Sequence, residues 1–102
     1  MGNYLFVYYG GAMAVTPAEQ KKSMDAWMNW FKKQGQAVID AGNPTMPGKL
    51  VSKSGVKDIT GEKVTGYSIF KADNIDAATA IAKTSPQMDG GEIAMYQVMP
   101  TM

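Results

Sequence analysis

The stretch Gly66-Tyr67-Ser68-Ile69-Phe70-Lys71-Ala72-Asp73-Asn74-Ile75-Asp76-Ala77-Ala78 decides the fold. Val64 to Ala72 is rich in β-branched and aromatic residues and reads as a strand. Asp73-Asn74 ends it. Asn74 is a good helix N-cap, and Asp76 in the first turn is favoured by the positive end of the helix dipole. Ile75, Ala78, Ile81 and Ala82 then recur at helical spacing. Half of that stripe is alanine, so the helix is expected to lie close against a sheet. Pro86 stops the helix, and Gly90-Gly91 turns the chain into a last strand, Glu92 to Met99.

The N-terminal half repeats the pattern. Asn3 to Tyr9 reads as a strand closed by Gly10-Gly11. In Thr16-Pro17-Ala18-Glu19, Thr16 can cap a helix, Pro17 suits its first position and Glu19 completes a capping box. Gly35 is a natural stop. Between them Met24, Trp27, Met28 and Phe31 fall at i, i+3, i+4, i+7 and are expected to be the buried stripe, with Lys22, Asn29 and Lys33 opposite. Trp30 lies at the margin of that stripe, as an edge-of-core residue or a dimer or ligand contact. Gln36 to Asp40 reads as a second strand. Gly42 to Gly61 is rich in Gly, Pro, Ser and Lys, and within it Leu50-Lys53, Ser54-Gly55 and Val56-Ile59 read as a hairpin. The order β-α-β-(hairpin)-β-α-β predicts an α+β, ferredoxin-like βαββαβ domain over residues 1–102, with an antiparallel sheet and an inserted hairpin.

Composition excludes much chemistry. The 102 residues contain no cysteine, histidine or arginine; ten lysines face nine acids for a formal charge of +1. There is thus no thiol nucleophile, no thiolate metal site, no imidazole base, no Ser-His-Asp triad and no guanidinium clamp. No metal and no cofactor are expected. A charge near zero gives no reason to expect nucleic acid or an anionic membrane. The opening Met1–Phe6 has no basic region typical of a signal peptide, so a cytoplasmic protein is expected. Nine methionines are many; Met24 and Met28, at i, i+4, read as core filler and not as a copper(I) site, since no Cys or His accompanies them. Asp58 and Glu62 lie in a lysine-flanked polar loop and read as solvated. Gly10-Gly11 and Gly90-Gly91 read as turns.

The strands point to a partner. Tyr4, Phe6 and Tyr8 alternate with Leu5, Val7 and Tyr9, and Ile93 and Met95 alternate with Ala94, Tyr96 and Val98. Both faces are apolar, whereas an antiparallel sheet with one wet face carries polar residues there. Two helices cover one face, so a second copy of the sheet is expected to cover the other, as a homodimer with a cavity between the sheets. Lys71 cannot lie under a helix without a charge partner, which places Tyr67, Ile69 and Lys71 on the helix-free face. Gln97 draws Ile93 and Met95 to the same side, and Tyr4, Phe6 and Tyr8 are assigned there because phenols tolerate a half-wet cleft. The candidate ligand-cleft residues are Tyr8, Tyr67, Lys71 and Gln97. A small-molecule-binding homodimer is the leading reading. Alternatives are an enzyme using Tyr, Lys or carboxylate acid–base groups, and a structural or interaction module whose cleft is filled by side chains.

Tyr4-Leu5-Phe6-Val7-Tyr8-Tyr9-Gly10-Gly11, the quoted stretch from Gly66 to Ala78, Ala82-Lys83-Thr84-Ser85-Pro86 and the ending from Gly90-Gly91-Glu92-Ile93 to Pro100 together resemble the YCII-related family, particularly its DGPF-type branch. The resemblance covers nearly the whole chain. It implies a ferredoxin-like protomer pairing into a dimeric α/β barrel. Members with proposed activity are similar to one another in a His on the first helix and an Asp before the proline that ends the second. Here Met24 stands near the His position and Ser85 precedes Pro86, so the pair is missing. The Asp-Gly-Pro-Phe signature is replaced by Lys57-Asp58-Ile59-Thr60-Gly61-Glu62-Lys63. The resemblance therefore carries over no catalytic residue.

Overall fold

A computed structural model describes residues 1–11, 15–61 and 63–99. The elements in order are β1 (Gly2–Gly10), α1 (Pro17–Gln34), a 3-10 turn (Gly35–Ala37), β2 (Val38–Asp40), β3 (Lys49–Ser52), β4 (Gly55–Asp58), β5 (Val64–Ala72), α2 (Ile75–Lys83), a 3-10 turn (Pro86–Met88) and β6 (Gly91–Gln97). Strands β2-β5-β1-β6 form one sheet, with β1 antiparallel to both β5 and β6 and β2 antiparallel to β5. Setting β3 and β4 aside, this is the βαββαβ ferredoxin-like order expected. The second strand is shorter than expected, because Gln36 and Ala37 continue the turn that leaves α1.

Both helices begin as their caps dictate. Thr16 Oγ1 accepts from Glu19 N at 3.1 Å, Glu19 Oε2 accepts from Val15 N at 3.3 Å, and Pro17 sits at the first position. Asn74 Oδ1 accepts from Ala77 N at 2.8 Å. Such a cap contributes about 1 kcal/mol. Helix α2 ends at Lys83, before Pro86.

The core lies between the helices and one sheet face. Tyr4, Phe6, Tyr8, Trp30, Phe70, Ala72, Ala78 and Ala82 are buried, with Ile93 and Met95 against them. Registry proves the side: Tyr4 pairs with Phe70 and Gln97, Phe6 with Ser68 and Met95, and Tyr8 with Gly66 and Ile93. Directly opposed residues share a face. The expectation that Tyr4, Phe6, Tyr8, Ile93 and Met95 face away from the helices is therefore overturned. Gln97 misled it: this residue sits at the strand's end, exposed, with its amide over Gly2, so its polarity says nothing about the face of Ile93. The placement of Tyr67, Ile69 and Lys71 is correct. They pair with Val7, Leu5 and Asn3 on the helix-free face, and Lys71 is exposed.

Helix α1 is also turned relative to its expected stripe. Trp30 is its one buried residue among those described, Trp27 and Phe31 are half-buried, and Met24 and Met28 are 60% and 65% exposed. The methionines are not core. Three aromatic rings at i, i+3, i+4 bury more area than two thioethers, so Trp27, Trp30 and Phe31 set the rotation. In α2, Ala78 and Ala82 are buried as expected, while Ile75 is exposed.

Strands β3 and β4 pair only with each other, Val51 opposite Val56 and Lys49 opposite Asp58, with an ion pair between the latter two. Every residue of both strands is exposed. The radius of gyration is 14.9 Å, against about 13 Å for a compact domain of this length. Asp58 is exposed, as expected; Glu62 lies outside the described residues. Among the described residues no helix is long and apolar enough to cross a membrane.

Candidate functional site

One end of the sheet is irregular, and the irregularity builds a cavity. Between Tyr8 and Tyr9 the β1–β5 register slips, so that Tyr9 meets Val64 and Thr65 bulges out. Thr65 Oγ1 donates to the carbonyls of Tyr8 (3.3 Å) and Gly10 (3.0 Å). A bulge bends the strand and re-aims side chains. On the other edge, β2 stops at Asp40, whose carboxylate accepts from Gly42 N at 2.8 Å. Gly42 adopts φ 75°, and a Cβ there would lie 1.7 Å from the Tyr67 carbonyl oxygen. Only glycine fits. The chain then runs beside β5 as an irregular edge, with Tyr67 N donating to Asn43 O, Thr45 N to Thr65 O, and a bridge between Pro44 and Gly66.

A cavity of about 820 Å³ opens between this edge and α1, walled by Met24, Trp27 and Phe31 from the helix, Tyr8 and Tyr67 from the sheet, and Asn43, Pro86, Gln87 and Asp89 from the loops. That volume is ample for a metabolite-sized ligand. Its floor is continuous with the aromatic core. The Tyr8 and Trp27 rings meet edge-on at 5.1 Å, Trp27 lies 5.8 Å from Phe31, and Phe31 stacks with Phe70 at 6.0 Å. Trp30 behind them donates its indole N–H to Thr84 Oγ1 at 2.9 Å, which fixes α1 to the end of α2.

Several polar groups of the cavity are already tethered. Tyr8 donates its phenolic hydrogen to Ser68 Oγ at 2.8 Å, and Ser68 donates to the Ala41 carbonyl at 2.7 Å. Burial pushes the Tyr8 hydroxyl up to about 12, only partly offset by the Ser68 bond, so the phenol is neutral across the physiological range. Tyr67 Oη accepts from Asn43 Nδ2 at 3.3 Å. Buried Gln87 donates from Nε2 to the carbonyls of Tyr9, Gly10 and Glu92 at 2.9, 3.2 and 3.3 Å, locking the turn after α2 to the ends of β1 and β6. Next to it, Ser85 is buried and its Oγ has no hydrogen-bond partner among the described residues.

The four residues proposed from sequence do not converge. Tyr8 and Tyr67 share the cavity, reaching it from opposite faces of the sheet. Lys71 and Gln97 sit at the other end, opposite Asn3 and Tyr4, about 13 Å along the strand from Tyr8. Lys71 borders a shallow depression with Ala77 and Ile81. Trp27, Asn43 and Gln87 were not foreseen. The i, i+3, i+4 aromatic triplet could have shown Trp27; Gln87 has no sequence signal, since its role depends on carbonyls distant in the chain. Met24 and Pro86, next to the two positions where the resemblance expects His and Asp, both line this cavity.

The family model described as the YCII-related domain matches residues 3–102. No curated protein matches the chain.

Proposed function

Since the chain belongs to the YCII-related family, and its cavity offers a neutral, hydrogen-bonded phenol in place of an acid–base pair, we propose that it is a small-molecule-binding homodimer working without conventional catalysis. The observation that carries the reading is the 820 Å³ cavity with its aromatic floor. A mostly apolar cavity of this volume with a few placed polar groups has the make-up of a small-molecule site. A phenol near 12 is badly matched to proton transfer at neutral pH, and Met24, on the cavity wall, transfers no proton.

The dimer rests on the helix-free face. Leu5, Val7, Tyr9, Tyr67, Ile69 and Ala94 are half-buried there by their neighbours alone, Tyr96 is 57% exposed, and both helices lie on the opposite face. A second copy presenting the same face by two-fold symmetry would cover it. The binding reading is tested by a thermal-shift screen of a broad metabolite set. At least one compound is expected to raise Tm in proportion to the logarithm of its concentration. A complete set without such a compound contradicts the reading.

A further inference from the structure

We propose that the ligand of this cavity is an organic cation, an amine or quaternary ammonium group carried on a small apolar body. The inference rests on the binding reading above and names its ligand class.

Three observations converge. The first is the aromatic lining. Tyr8, Trp27 and Phe31, on the helix side of the sheet, border the cavity, and aromatic rings attract cations through their quadrupoles, most strongly where water is excluded. The second is charge. Glu19 and Asp89 line the cavity, whereas of the ten lysines only Lys22 does. The site therefore carries excess negative charge in a chain whose formal charge is +1. The third is the hydrogen-bond balance. Tyr8 gives its proton to Ser68, Asn43 gives an amide hydrogen to Tyr67, and Gln87 gives its amide hydrogens to three backbone carbonyls. What Tyr8 and Gln87 have left is acceptor oxygen, while Asn43 keeps one amide hydrogen and Tyr67 its hydroxyl hydrogen. An anion would find Lys22 and those two donors, but against the two carboxylates of Glu19 and Asp89. The N-terminus of α1, the nearest natural anion site, is closed by Thr16 and by Glu19's own carboxylate. Acceptors, carboxylates and aromatic rings around one volume are complementary to an ammonium group and repel a carboxylate or phosphate.

The test is a matched set of probes of similar size: benzyltrimethylammonium, its neutral analogue neopentylbenzene, and phenylacetate. Binding is followed by tryptophan fluorescence, since Trp27 borders the cavity. The cation is expected to bind roughly tenfold or more tightly than the neutral probe, and the anion to show no saturable signal. Asp89→Asn and Glu19→Gln together are expected to weaken the cation roughly tenfold and leave the neutral probe unchanged; Gln at position 19 keeps an acceptor for the Val15 N–H. Tighter binding of phenylacetate, or equal binding of the neutral probe and the cation, overturns the cation assignment while the binding reading stands. Absence of any signal from all three overturns the cation assignment, and the metabolite screen then decides the binding reading separately.

Discussion

Tyr8 and Ser68, 60 residues apart in sequence, meet on adjacent strands beneath α1, and the phenol donates to the serine hydroxyl at 2.8 Å. Ser68 passes the interaction on to the Ala41 carbonyl. This chain ties β1 through β5 to the irregular edge that walls the cavity. Its two members are unequal: Ser68 satisfies both neighbours, whereas Tyr8 satisfies one. Ser68→Ala leaves a buried phenolic donor and a carbonyl unmatched and is expected to cost about 1–3 kcal/mol. Tyr8→Phe leaves Ser68 still bonded to Ala41 and is expected to cost about 1 kcal/mol. Urea denaturation of both variants checks the order; Tyr8→Phe being the more damaging contradicts it.

The same bond has a pH signature. The Tyr8 hydroxyl moves from 10.0 to about 12 on folding. A folded value above the unfolded one means the native state holds its proton more tightly. Its stabilisation is fully present below pH 10 and is lost as pH rises through about 12. Denaturation midpoints from pH 9 to 12 are expected to fall more steeply for the native chain than for Tyr8→Phe, in which the remaining titrating groups are unchanged. Parallel profiles contradict the assignment.

Helix α1's rotation makes a sharp contrast between two neighbours. Met28 is 65% exposed, so Met28→Ala is expected to shift stability by no more than about 0.5 kcal/mol. Trp30 is buried against Phe70 and bonded to Thr84, so Trp30→Ala is expected to cost about 3–5 kcal/mol. Equal effects in thermal denaturation would restore the methionine stripe as core.

Gly42 and Gly48 separate conformational need from sequence habit. A Cβ on Gly42 collides with the Tyr67 carbonyl, while one on Gly48 meets only Ile59 Cδ1 at 3.9 Å. Gly42→Ala is expected to cost more than about 3 kcal/mol and Gly48→Ala to lie within about 0.5 kcal/mol of the native chain, by urea denaturation. A mild Gly42→Ala would mean the edge beside β5 can move aside.

The dimer has its own variant. Val7 sits in the middle of the helix-free face, between Tyr67 and Ala94. Val7→Lys places an unpaired ammonium at the centre of the proposed interface, whereas Met28→Lys alters an exposed helix position. Sedimentation equilibrium is expected to give twice the chain mass for the native protein and Met28→Lys, and the chain mass for Val7→Lys. A native monomer contradicts the dimer.

What was legible in the sequence follows from how local each signal is. Thr16, Pro17, Glu19, Asn74 and Pro86 act within a turn of their own positions, and the elements they bound fall where expected. Lys71 was read correctly because a charge excludes a face outright. Tyr8 and Gln97 were read to the wrong face because both combine apolar and polar character, and only pairing across strands decides their side. The cavity was less legible still. Its walls depend on the Thr65 bulge, the Gly42 turn and the three carbonyls that hold Gln87, all contacts between residues distant in the chain.

The central claim, that the cavity beside Trp27 receives a ligand, is tested most directly by the two tryptophan indole N–H resonances of 15N-labelled protein during titration with benzyltrimethylammonium or a compound that raises Tm. Trp27 borders the cavity, while Trp30 lies behind it with its N–H held by Thr84. The Trp27 resonance is expected to move saturably while that of Trp30 stays close to its starting position. A saturable shift confined to Trp30 or to amides of the helix-free face, with Trp27 unmoved, would place the binding site elsewhere and contradict the account.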